Sequence, residues 1–557
     1  MKEKMIIYQV LPRLFGNVNE NCVPHGSLAQ NGSGKMNDFT ADVLATIKDE
    51  GYTHVWFTGL IEHATQTDYS AFGIEPDHPA VVKGRAGSPY AIKDYYDIDP
   101  DLAENVPARM NEFENLVNRT HEAGLGFVMD FVPNHVARQY HSDAKPANVV
   151  DLGAHDVTTQ AFSPQNNFYY IPGQPLRTHF DRYHLAPMPY REYPAKATGN
   201  DRFDASPGEN DWYETVKLNY GVDYCGGRQK HFNPTPDTWE KMLDILLFWA
   251  GKGVDGFRCD MAEMVPVEFW DWCISQVKAR FPRMLFIAEV YNPSEYRNYL
   301  YAGHFDFLYD KVGLYDTLRG VICGHRPASD ITSCWQSVDD IKDHMLNFLE
   351  NHDEQRIASD FFATDGRKAL PALVVSACMG TNPFMVYAGQ EFGEPGMDAE
   401  GFSGRDGRTT IFDYWSVPSL RRALSGQLRA GERHLHDAYV KLLRLCNTES
   451  TLREGSFFDL MYVNYDGCGG FDPNRHYAFL RHAGHDLLLI VSNFSDEASQ
   501  VGVRIPSHAF STLGLREGIC WASDLLTGEP VTVTLRPDSV TSVQLPPYGA
   551  VLLKMRC

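Results

Sequence analysis

Short apolar runs return along the chain with helix-length segments between them. They are MIIYQVL (5–11), HVWFTGL (54–60), GFVMDFV (126–132), GVDGFRC (253–259), LFIAEV (285–290), FDFLYD (305–310), HMLNFLE (344–350) and PFMVYAG (383–389). Segments 107–123, 236–251, 266–281 and 417–447 carry apolar residues at three- and four-residue spacing, which predicts helices. Strands apolar through their length and alternating with helices predict a parallel sheet covered on both faces. A closed (β/α)8 TIM barrel is the economical solution, with an open doubly wound sheet as the alternative.

Spacing sharpens this expectation. A barrel of ~250 residues allots about 30 residues to each βα unit. Asp260 to Glu289 is about one such unit and Glu289 to Asp353 about two. Asp130 to Asp260 is far longer, although their strands are consecutive. About 100 residues are therefore inserted after the third strand, on the same allotment. The insert, 136–230, is rich in Pro, Asn, Tyr, His and Asp with weak periodicity, which predicts an irregular inserted lobe. From about 452 the pattern changes again. MYVNYDG, HYAFLRH, DLLLIVSNF, VTVTLRP and VTSVQLPPYGAVLLK alternate between turn residues and read as a C-terminal antiparallel β-sandwich. The expected division is 1–135 with 231–451 as barrel, 136–230 as lobe and 452–557 as β domain.

Composition narrows the function classes. The 557 residues carry a formal charge of −22, which argues against nucleic acid or an anionic membrane as partner and suits a neutral substrate. No run approaches the ~20 apolar residues of a membrane helix. The opening MKEKMIIYQVLPRLF runs directly into a strand-like segment without an apolar leader, so the expectation is a cytoplasmic protein. The 11 cysteines, scattered from Cys22 to Cys557 without CxxC spacing, read as reduced residues.

The chemistry gathers at strand ends. DFVPNH (130–135), FRCD (257–260), AEV (288–290) and NHD (351–353) close apolar runs with polar residues. In a (β/α)8 barrel such positions converge on one mouth. Arg258 and Asp260 stand two residues apart, so strand alternation points both to the same face. Several carboxylates in one pocket raise each other's pKa, a poor arrangement unless the site uses the proton.

This pattern resembles the α-amylase family, glycoside hydrolase family 13. The resemblance rests on IYQVLPRLF, SPYAIKDYYDIDP and the ordered set DFVPNH, GFRCDMAE, FIAEV and FLENHD. It implies that Asp260 is a nucleophile, Glu289 the general acid/base and Asp353 a carboxylate that binds sugar hydroxyls. Arg258 would orient the nucleophile, with Asp130 a structural partner beside it. His135 and His352 would hydrogen-bond the sugar, and Tyr90 would form an aromatic platform beneath it. No cofactor is required for such chemistry, and Asn134 matches a calcium ligand. The implied substrate is an α-glucan oligosaccharide or polysaccharide, cleaved with retention, for which two carboxyl groups about 5–5.5 Å apart are needed.

The chain departs from the family where Glu263 and Met264 replace a Lys-His pair, and where Pro89-Tyr90-Ala91 replaces Gly-Tyr-Asp. The motif expected near the end of the lobe is at best VKLNYG (216–221). Two alternatives therefore stand beside hydrolysis of α-1,4 bonds. One is a glycosyl- or maltosyltransferase, for which Lys217, Arg228 and Lys230 are the candidate phosphate-binding cations; the other is a non-catalytic glucan-binding protein.

Overall fold

A computed structural model describes residues 3–178, 180, 185–186 and 188–556. Eight parallel strands form a closed barrel: β1 (Ile6–Val10), β2 (His54–Phe57), β3 (Gly126–Phe131), β4 (Gly256–Cys259), β5 (Leu285–Ala288), β6 (Phe307–Tyr309), β7 (Met345–Phe348) and β8 (Phe384–Tyr387). Each strand pairs with its predecessor, and β1 closes on β8 with Ile6 opposite Phe384. Every strand lies inside one of the eight apolar runs. The runs are legible because both faces of these strands are covered, so neither has to be polar.

The barrel interior carries its own apolar cluster, with Ile7, Trp56, Val128, Ile287, Tyr309, Leu346 and Met385 among its members. Period-2 alternation places polar residues on the same inward face, one layer nearer the strand ends. Val128 is followed by Asp130, Ile287 by Glu289 and Gly256 by Arg258. The layering thus turns an apolar plug into a charged mouth within two residues of each strand.

Helices Arg109–Glu122, Asp237–Gly251 and Val267–Arg280 occupy the predicted segments. The segment 417–447 is two helices, Pro418–Leu424 and Ala430–Thr448. The break falls at Gly426, whose φ of 71° a helix cannot continue.

Among the described residues the inserted segment holds three short antiparallel pairs, with His135–Ala137 against Thr215–Lys217 nearest the barrel. A small core of Tyr169, Ile171, Leu176, Ala195, Ala197 and Ala205 supports it. A further antiparallel pair, Ile61–His63 with Ile92–Ile98, follows β2.

The C-terminal part is a six-stranded antiparallel sheet with a separate two-stranded pair, Ser499–Arg504 with Val540–Leu545. MYVNYDG is not a strand: Met461–Val463 is a 3-10 turn, and the edge strand is Ser456–Asp459. Strands Ser499–Arg504 and Gly518–Asp524 lie outside the expected set. The ten described cysteines are free; Cys557 lies outside the described residues. No described helix is long and apolar enough to cross a membrane.

Candidate active site

The ends of β3, β4 and β5 meet on one guanidinium. Arg258, fully buried on β4, sits opposite Asp130 of β3 and Ile287 of β5 in the ladder. Its Nη1 lies 2.8 Å from Asp260 Oδ1 and 3.2 Å from Asp130 Oδ1, and its Nη2 lies 2.9 Å from Glu289 Oε2. Nε donates to the Tyr309 hydroxyl at 3.1 Å. Trp56, Tyr90 and Tyr309 place their rings within 5.2–5.5 Å of the guanidinium carbon. Aromatic faces are a favourable setting for a buried cation.

Both acids are pinned by backbone as well as charge. The Asp260 N–H donates to Phe131 at 2.9 Å and the Glu289 N–H to Cys259 at 3.2 Å, so the ladder runs one residue past the strand ends. The Met261 N–H donates to Glu289 Oε2 at 2.7 Å, and the Tyr291 hydroxyl donates to Glu289 Oε1. Met261 takes a left-handed φ of 43°, an uncommon conformation for a residue with a side chain.

Burial, then the Glu289 charge, push the Asp260 carboxyl well above the usual carboxylate range, against the pull of Arg258. Arg258 is shared among three carboxylates rather than reserved for Asp260. Ionisation of Asp260 therefore costs most in this buried setting with a second acid beside it.

Asp353 follows β7 and is partly open to the mouth. Burial opposes its ionisation, but His352, and then Arg258 and Arg408, hold its carboxyl below the usual range. Its Oδ2 lies 3.0 Å from His352 Nε2. The Gln9 amide, from β1, donates to His352 Nδ1 at 2.7 Å, leaving Nε2 to carry the proton toward Asp353. Tyr90 stacks on His352 with ring centroids 5.2 Å apart, and their polar atoms meet at 2.6 Å. His135 is buried against Trp212. Burial, reinforced by the Lys217 charge, lowers its pKa to about 3, so it is a neutral hydrogen-bonding ring.

Tyr90, His135, Asp260, Glu289 and Asp353 line one cavity of about 350 Å³, with Trp212, Tyr291, Phe402 and Phe412 on its walls. His352 and Arg258 stand behind this lining. Met261, Tyr291, Trp56, Tyr309 and Gln9 were not singled out in the sequence. Tyr291 stands two residues after Glu289, so the alternation that groups Arg258 with Asp260 would have found it.

The surroundings of Asn134 do not fit calcium. Its Oδ1 accepts from Lys217 Nζ at 2.6 Å, and its amide donates to the Gly199 carbonyl at 2.7 Å. Lys217 is 1% exposed and also pairs with Asp201 at 2.6 Å, so a fixed ammonium stands where the ion would have to be. This also removes Lys217 from the phosphate-binding candidates. Arg228 lies over the Tyr224 ring, and Lys230 pairs with Glu268. Lys83 is the single lysine or arginine among the described cavity-lining residues, beside five acids that include Glu214 and Glu354.

A family model described as Alpha amylase, catalytic domain, matches residues 9–425. The chain is 21% identical over 556 residues to a neopullulanase from Thermoactinomyces vulgaris, covering 96% of this chain and 76% of that protein. It is 22% identical over 553 residues to a cyclomaltodextrinase from Geobacillus thermopakistaniensis, covering 98% and 76%. An α-1,4-glucan:maltose-1-phosphate maltosyltransferase from Rhodospirillum rubrum is 30% identical over 161 residues, 28% of this chain and 22% of that protein. A crystal structure of a maltogenic α-amylase from Thermotoga neapolitana superposes with a TM-score of 0.63 at 21% identity, covering 100% and 99%.

Proposed function

The chain belongs to the α-amylase family, and we propose that it is a retaining hydrolase that cleaves α-1,4-glucosidic bonds of maltooligosaccharides, starch or glycogen. The observation that carries this reading is the pair Asp260 and Glu289 held on one guanidinium, with Asp353 lining the same cavity.

In this mechanism the Asp260 carboxylate attacks the anomeric carbon while Glu289 protonates the departing oxygen. A covalent glycosyl ester forms at Asp260. Glu289, now the base, takes a proton from water, which attacks the same carbon and returns Asp260 as carboxylate. Two inversions restore the α configuration. Arg258 contacts both acids, Asp260 at 2.8 Å and Glu289 at 2.9 Å, and so compensates negative charge on either as the proton moves. Asp353 accepts from ring hydroxyls, His135 hydrogen-bonds the same sugar, Tyr90 lies under it, and His352, behind the lining, orients Asp353 and Tyr90 rather than touching the sugar.

Transfer to a sugar acceptor shares the first half of this scheme. A phosphorylated donor is disfavoured, because five cavity acids face the one lysine, Lys83. Maltotetraose, followed by chromatography and by NMR of the newly formed anomer, tests the reading. Shorter α-configured products are expected. Longer oligosaccharides as the main product would replace hydrolysis by transfer, and a β anomer would overturn double displacement.

A further inference from the structure

Away from the cavity, the antiparallel pair after β2 buries three carboxylates together. Glu62 stands opposite Asp94 in the ladder, and Asp97 lies three residues further on, where the irregular register between Ile61 and Glu62 brings it to the same side. Their exposures are 1%, 0% and 3%. One oxygen from each lies within 4.8 Å of the other two. Three oxygens bound to one ion at about 2.4 Å can be no further apart than this.

The three acids differ in what already satisfies them. Asp97 is gripped by Arg109, whose Nε donates at 2.9 Å. Asp94 accepts from Ser142 Oγ at 2.6 Å and from the Tyr96 and Ala144 N–H groups at 2.8 and 2.9 Å. Both Glu62 oxygens are buried without a hydrogen-bond partner among the described residues. Neither protonation state relieves this. An ionised Glu62 is a bare buried charge, and a protonated one has no acceptor for its hydrogen. Lys93 is committed to Asp77 at 3.1 Å.

We propose that Glu62, Asp94 and Asp97 bind a hard divalent cation of the calcium type. The charges close: three carboxylates against Arg109 leave two negative charges, which one such ion neutralises. All three donors are oxygens, the ligand set of calcium, whereas magnesium keeps more of its water. Burial, followed by the charges of Asp94 and Asp97, pushes the Glu62 carboxyl up to about 9, which measures how poorly the site tolerates its own anion. The ion would tie the strand that follows Tyr90 to the inserted segment at Ser142 and Ala144.

The test uses the full-length protein stripped with EGTA and titrated calorimetrically with Ca²⁺. One ion per chain is expected, bound at least tenfold more weakly by Glu62→Gln and unchanged in Asn134→Ala. Melting gives a second readout. Ca²⁺ should raise the melting temperature of the wild type above its value in EGTA and leave that of Glu62→Gln unchanged. No calcium uptake by the wild type, or uptake indifferent to Glu62→Gln, would overturn the proposal. Should that variant fail to fold, Glu62→Asp draws the carboxyl back by one methylene, and unaltered affinity there would be equally fatal.

Discussion

The Met261 N–H, 2.7 Å from Glu289 Oε2, ties the residue after one acid to the carboxyl of the other. Met261 adopts a left-handed backbone to make this contact, at a cost of roughly 1–2 kcal/mol for a residue with a side chain. The strain sits at the turn that carries Asp260 off β4, and packing of the barrel maintains it. The two carboxyls are thus set by chain geometry as well as by Arg258.

Asp260→Asn should lower kcat by at least about 10⁴-fold, as loss of a covalent nucleophile does. Burial and the Glu289 charge make the ionised Asp260 that the reaction needs costly in the folded state, so stability is lost as pH rises through its raised pKa. Removing the charge should therefore raise the melting temperature near neutral pH. Near-normal turnover would refute the assignment.

Glu289→Gln should cripple natural α-glucans by roughly 10²–10⁴-fold, the range for a general acid. An aryl maltoside whose leaving group departs without protonation should still load the enzyme, seen as a burst of phenol followed by slow turnover. Equal losses on both substrates would mean that Glu289 is not the proton donor.

His135 makes the protein sensitive to acid. Its pKa falls from 6.5 to about 3 on folding, so the unfolded chain binds the extra proton between these values. That part of the stability is complete above pH 6.5 and declines as pH drops toward 3. Denaturation midpoints of His135→Gln should fall less steeply from pH 7 to 5 than those of the wild type. Parallel lines would exclude the effect.

Lys217→Met keeps the volume and removes the ammonium, leaving Asn134 Oδ1 and Asp201 without their cation. Breaking a buried pair costs about 3–5 kcal/mol, but Asp201 is about a third exposed, so a loss of ~1–3 kcal/mol is expected. Urea denaturation measures it. No loss would show that the lysine is dispensable to the attachment of the insert.

The barrel was legible because β1–β8 are buried on both faces and read as continuous apolar runs. Gly518–Asp524 was not, since its large apolar residues Ile519 and Trp521 face solvent while Ala522 and Asp524 are the buried ones. MYVNYDG has strand-like residues, yet Asn464 donates to the Leu460 carbonyl and accepts from the Arg504 N–H, which holds it as a turn. In the site, the carboxylates declared themselves by following strands. Gln9 and Trp56 did not, because a polar or aromatic residue inside an apolar run carries no mark of what it touches.

The guanidinium on β4 bears on folding as well as on turnover. Strand partners that closed one position out of step would turn Asp130 and Glu289 toward the surrounding helices and strand a lone cation among aliphatic neighbours. Misaligned closures are thereby penalised by the same charges to which the proposed reaction is assigned.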